Sequence, residues 1–151
     1  MLKSTVRFFN LVLAGVVAGV VLGIWLGYNP AGLSAHTYIE QQQHVISALN
    51  TLMPVLGLIA ILLTILSALL RQGSRRISGV LLTAAGLLII SGLVTRFGNQ
   101  PINAIVMTWN AADAPESWAG LRDQWWSFHT IRTVTSLLAF CLIAWAHMKK
   151  G

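Results

Sequence analysis

Trp118, Arg122, Trp125, His129 and Arg132 recur at spacings of four, three, four and three residues. On a helix this spacing puts all five on one stripe, and the stripe alternates aromatic with ionisable groups. Indole faces attract cations, an imidazole can take up a proton near neutral pH, and a guanidinium can steady an oxyanion as it forms. The stripe therefore reads as an acid–base site, with interfacial anchoring by stacked Trp and Arg as the alternative. It closes the stretch Arg96–Arg132, which holds four of the six tryptophans, three arginines, one histidine and three of the four acids.

Two further groups join it. Glu40 and His44 stand one turn apart in a segment of helical character, Ala35–Asn50, with Ser47 and Thr51 on the same face. With His129 they would form a two-histidine, one-carboxylate set suited to a non-haem metal ion; a surface hydrogen bond between neighbours is the other reading. His36 and His147 do not read as ligands. After the third apolar run, Gly98 is expected to end a helix and Asn99 to cap the next, whose first turn includes Pro101. Asn99 and Asn103, again one turn apart, could hold a carbonyl or phenolic group. Ile102, Ile105, Val106 and Trp109 make an apolar face, so this segment is expected at the interface or folded over a bundle mouth.

The elements that must position these groups are transmembrane helices. Of 151 residues, 56% are hydrophobic and only 9% charged, whereas soluble domains carry about a quarter charged residues. Apolar runs cover approximately 8–28, 51–70, 77–95 and 134–148. The first three match a hydrocarbon core of ~30 Å at 1.5 Å per residue, and open strands cannot satisfy their backbone in lipid. The fourth covers only about 22 Å as a helix. Extending it back to residue 129 solves this but draws His129 and Arg132 to membrane depth, pointing into the bundle; snorkelling of Arg132 is the alternative. The expected fold is all-α: one four-transmembrane-helix bundle over 1–151, with an external amphipathic or re-entrant helix between the third and fourth spans.

Charge gives the orientation. Lys3, Arg7, Arg71, Arg75, Arg76, Lys149 and Lys150 fall on one side of four spans, and Glu40, Asp113, Glu116 and Asp123 on the other. By the positive-inside rule both termini are cytoplasmic, in a plasma membrane such as the bacterial inner membrane. The first helix reads as retained rather than as a cleaved signal. The net charge of +6 is split between membrane ends, which argues against nucleic-acid binding. A lone Cys141 excludes an internal disulfide. Residues 72–76 read as a tight turn between antiparallel helices. Gly15, Gly19, Gly23 and Gly27 form a groove for a packing helix, or for a flat ligand.

In combination, Met53-Pro54, Arg96 with Asn99, Pro101-Ile102-Asn103, Trp118-x-x-x-Arg122-x-x-Trp125 and His129-x-x-Arg132 resemble the anthrone oxygenase-like family of small four-helix membrane proteins, from about Phe8 to His147. The resemblance implies an oxygenase converting a polyketide anthrone to an anthraquinone, without an added cofactor. It would need a base such as His129 or His44, with Arg96, Arg132 and Asn103 steadying the oxyanion. The expectation is thus a membrane-embedded oxidoreductase acting on a flat aromatic, anthrone- or quinone-like molecule at the extracytoplasmic end. Its catalytic candidates are His129, Arg132, His44 and Glu40. Its substrate-binding candidates are Arg96, Asn99, Asn103, Trp109, Trp118, Arg122 and Trp125. The cofactor is none, or a non-haem metal on Glu40, His44 and His129. The other reading is a metal-, haem- or quinone-binding or structural subunit of a larger membrane complex; a homo-oligomer is left open.

Overall fold

Four apolar helical runs dominate the chain, each long enough to cross a bilayer. The computed structural model describes residues 1–71 and 74–149. Its helices are α1 (Leu2–Gly27), α2 (Ala35–Leu49), α3 (Leu52–Leu70), α4 (Arg75–Val94), α5 (Gln100–Val106) and α6 (Trp118–Met148). The all-helical, four-span expectation is met. Residues 72 and 73, within the expected tight turn, and Lys150 lie outside the described residues.

α1 packs on α3 and α6, and α4 packs on the same two helices, closing a ring. Successive spans reverse direction, so every neighbour in the ring is antiparallel. The core is rich in alanine: Ala14, Ala60, Ala68, Ala84, Ala139 and Ala146 are buried with Ile77, Leu81, Leu88 and Ile143. Small residues let backbones approach closely where lipid removes the hydrophobic drive between helices. Leu58, Leu62, Leu69, Leu82, Leu93 and Leu138 are instead exposed, as a surface solvated by hydrocarbon allows. Polar contacts tie helices across the ring. Asn10 Nδ2 donates to Thr64 Oγ1 at 2.7 Å, His147 Nε2 meets Asn10 Oδ1 at 3.0 Å, and Ser91 and Ser136 share a 2.9 Å bond.

One end carries both termini; the other is capped by α2 and α5. Ser34 accepts from the Thr37 amide and starts α2, as an N-cap does. α3 begins afresh, with Pro54 in its first turn, where a missing N–H is harmless. Gln43 Nε2 reaches across to the carbonyls of Val106 and Trp109, both at 2.9 Å, and so clasps the end of α5 to α2.

Two expectations fail. Gly98 does not end a helix and Asn99 caps nothing: Thr95–Asn99 form a π-helical turn running straight into α5. The Gln100 N–H bonds to Thr95 O, and this widened turn accommodates Pro101, which lacks an N–H and would crowd the carbonyl four residues back. The second is the helix-packing reading of the glycine groove, which holds only at its first position, while the flat-ligand reading stands untouched. Only Gly15 lies near a neighbour, with its Cβ position 3.3 Å from Phe140 Cε2, while Gly19, Gly23 and Gly27 face open space. The α1 face turned toward the ring carries Ala14, Val17, Ala18 and Val21 instead.

Gly98 is required for a different reason. A Cβ there would sit 2.7 Å from Phe128 Cγ, at the root of a ring that cannot swing away cheaply. Gly98→Ala should cost about 1–3 kcal/mol, read as a lower unfolding midpoint in detergent. Gly98→Ala combined with Phe128→Leu should recover part of that loss, and Gly19→Ala, with nothing within 4 Å, should show none.

Candidate functional site

α6 carries the stripe as foreseen, but the structure divides it. Trp118 and Arg122 form the first half, with the guanidinium 4.8 Å from the indole centroid. Arg122 Nε also donates to Asp123 Oδ1 at 2.8 Å, and Trp118 lies 6.0 Å from the Tyr38 ring of α2. This half fastens α6 to the cap. Tyr38 is fully buried there, and desolvation, with lesser charge effects, pushes its phenol well above the usual tyrosine range.

Trp125, His129 and Arg132 form the second half inside the ring. His129 is 0% exposed and stacks on Trp125, the ring centroids 5.1 Å apart and the planes 5° from parallel. Arg132 Nε donates to His129 Nδ1 at 2.9 Å. A guanidinium N–H can only donate, so Nδ1 is the unprotonated nitrogen of a neutral imidazole. Nε2 then carries the hydrogen and donates to Val21 O on α1 at 3.1 Å. Both ring nitrogens are occupied, which leaves His129 without a lone pair for a substrate proton. Its evident task is to hold Arg132.

Trp125 is itself pinned. Its indole N–H donates to Asn103 Oδ1 at 2.8 Å, and Asn103 Nδ2 donates to Asn50 Oδ1 at 2.8 Å. Asn99 Nδ2 donates to the Trp125 carbonyl at 3.0 Å. The two asparagines thus support the aromatic stack from α5 and the π-turn; the wide turn is what sets both of them toward α6.

Arg132 borders two neighbouring cavities. The larger, about 220 Å³, is lined mainly by apolar groups such as Val17, Met53, Ile61 and Leu88, with Arg96 and Gln100 among its polar residues. The smaller, about 40 Å³, adds Gln42, Asn50, Asn103 and Trp125. Val21, Met53, Pro54, Thr95 and Arg132 line both. Neither ion pair among the described residues involves Arg132, and its terminal nitrogens have no hydrogen-bond partner there. The Arg132 guanidinium lies over the Trp125 ring, 5.7 Å from its centroid, so an aromatic face and no carboxylate answers the cation beside this apolar chamber.

The remaining candidates lie elsewhere. Glu40 pairs with His36 at 3.5 Å rather than with His44, and Glu40 and His44 line a shallow outer cleft with Tyr28. His129 is not among its residues, and among the described residues no three His, Cys, Asp or Glu side chains converge. The Glu40–His44–His129 metal set is therefore not assembled. Trp109, Trp118 and Arg122 do not line either cavity. Arg96 does, exposed at the rim, with Nη1 donating to Gln100 Oε1 at 3.4 Å. Gln42, Asn50, Gln100 and Thr95 were missed because they lie outside both the Trp/Arg/His stripe and the Asn99–Asn103 pair. The signal for Gln42 was its place on the inner face of α2 with Tyr38, Ile39 and Ile46.

The family model described as anthrone oxygenase matches residues 43–142, about two thirds of the chain. The chain belongs to that family. No curated protein and no solved structure matches it. The matched region takes in Arg132, His129, Trp125 and Asn103 and leaves out α1 and Gln42.

If Trp125 is held as described, Asn103→Leu and Trp125→Phe should each destabilise by about 1–3 kcal/mol through the partner left unpaired. The double variant should lose less than the sum; strict additivity in thermal or denaturant unfolding would show that the bond carries no coupling.

Proposed function

We propose that the chain is a membrane-embedded oxygenase acting on a flat, carbonyl-bearing aromatic that settles in the larger cavity beside Arg132. One observation carries the reading. Arg132 is anchored through Nε by a neutral histidine, lies over Trp125 and lines an apolar chamber with no carboxylate paired to it among the described residues.

A cavity near 150 Å³ already holds benzene, so about 220 Å³ suits a fused aromatic. A methylene beside a ring ketone loses its proton to give an enolate. The guanidinium meets the negative oxygen in a low-dielectric setting, where a fixed donor is worth far more than in water. With both His129 nitrogens engaged, the proton leaves to water at the mouth beside Arg96 and Gln100. The enolate carbon then reduces oxygen, so that CH2 plus O2 becomes C=O plus H2O. The family description names an anthrone oxygenase, and the reaction written here is this chain's proposed form of that activity.

Among the lining residues Leu58, Gly92 and Arg96 are exposed, which supports entry of an apolar substrate between α3 and α4 from the bilayer. The basic residues near the termini and the acids at the opposite end support a plasma-membrane location with cytoplasmic termini. The cavity then opens on the extracytoplasmic half.

Purified protein in detergent should consume oxygen with anthrone. Arg132→Met should lower kcat/KM by about 10²–10³-fold, and undiminished turnover in that variant would sink the reading. His129→Phe keeps an aromatic ring for the stack but offers Arg132 no acceptor. It should lower kcat while leaving KM nearly unchanged, a split that general loosening of the fold would not produce.

A further inference from the structure

We propose that the small lobe beside Gln42 is an acceptor-selective subsite, which takes one carbonyl or phenolate oxygen of the substrate and makes Gln42 a specificity-determining residue. This rests on the larger cavity receiving a flat aromatic, as proposed above.

Gln42 is fully buried on α2. Its Oε1 accepts from the Tyr28 hydroxyl at 3.1 Å, while its Nε2 is buried with no partner and the residue lines the lobe. Buried amide donors are nearly always paired, and leaving one unpaired incurs the full penalty of its desolvation. With the amide oxygen taken by the Tyr28 hydroxyl, the NH2 end is the one left without a partner, and Tyr28 is in turn set edge-on against Trp125 at 6.4 Å and 81°.

The other polar groups of the lobe decide what Gln42 can receive. Asn50 Oδ1 is taken by Asn103, Asn103 Oδ1 by Trp125, and the Thr95 hydroxyl is turned to Ser91 O. The side-chain amide oxygens are engaged. What remains free is N–H, on Gln42 Nε2 and on the ends of Arg132. Free polar groups that are donors favour an atom that accepts, so a ketone or oxyanion fits and an ammonium group does not.

Size agrees. About 40 Å³ is close to the ~30 Å³ share of one liquid water, room for a single oxygen and not for a ring. The lobe and the larger cavity share Val21, Met53, Pro54, Thr95 and Arg132 in their walls. A ring lying in the chamber would therefore carry its oxygen past Arg132 toward Gln42.

The test compares two tricycles of similar outline, anthraquinone with carbonyl oxygens and anthracene with none. Their binding to the full chain in detergent is followed by quenching of tryptophan fluorescence. Gln42→Leu and the longer, flexible Gln42→Met should each weaken anthraquinone binding on the order of 10-fold while leaving anthracene unchanged. Tyr28→Phe should weaken it less, in the same direction. An anthraquinone-to-anthracene affinity ratio unaltered in both Gln42 variants would overturn the proposal, as would a lobe that merely houses water, which predicts that result. Binding needs no turnover. A protein that selects the ketone through Gln42 yet never oxidises it would keep the subsite and refute the oxygenase reading.

Discussion

A guanidinium inside an apolar ring of helices, with no carboxylate beside it, is the constraint around which the capped end is organised. Burying a charge is expensive unless something answers it, and a long arginine has many ways to escape toward the surface. Arg132 does not escape because its Nε is bonded to His129, whose other nitrogen is bonded to the α1 backbone at Val21. Helix α6 thus borrows a fixed point from α1. Arg132 has one nitrogen tied down and its guanidinium lies over Trp125, while its terminal nitrogens carry no hydrogen bond.

The supports recede outward from there. His129 lies flat on Trp125, Trp125 hangs from Asn103, and Asn103 is steadied by Asn50 at the junction of α2 and α3. Every member is neutral. Such a chain transmits position rather than protons, and it explains why α2 and α5 cover this end. At the other end the polar groups that cross the bundle serve a plainer purpose. His147, Asn10 and Thr64 satisfy one another, and Thr64 returns its hydroxyl to Ala60 O. That set closes on itself and holds three helices in register.

Sequence periodicity made the four spans legible because apolar length is a local property. The stripe on α6 was legible for the same reason, since all five residues ride on one helix. Roles were less so. His129 suggested a base by its residue type, and only the contact with Val21, more than a hundred positions away, reveals that both its nitrogens are taken. Glu40 and His44 drew notice because they titrate, yet the informative face of α2 is the opposite one, where Gln42 is buried among Tyr38, Ile39 and Ile46. The π-turn at Thr95–Asn99 was hidden because glycine, asparagine and proline in sequence normally punctuate a helix; the widened turn lets the helix run past them.

The identities at 129 and 132 follow from what each alternative would forfeit. A lysine at 132 has one nitrogen, which could be anchored or could face a ligand, but would do each poorly at once. Arginine separates the tasks, with Nε for the anchor and two terminal nitrogens beyond it. The anchor in turn must accept a hydrogen bond without bringing negative charge. An aspartate or glutamate would grip the guanidinium more tightly and would also cancel the charge that a developing oxyanion has to meet. A neutral imidazole accepts at one nitrogen, donates at the other, and lies flat against an indole. The four carboxylates of the chain are accordingly kept on exposed positions, at Glu40, Asp113, Glu116 and Asp123, where they cannot quench Arg132.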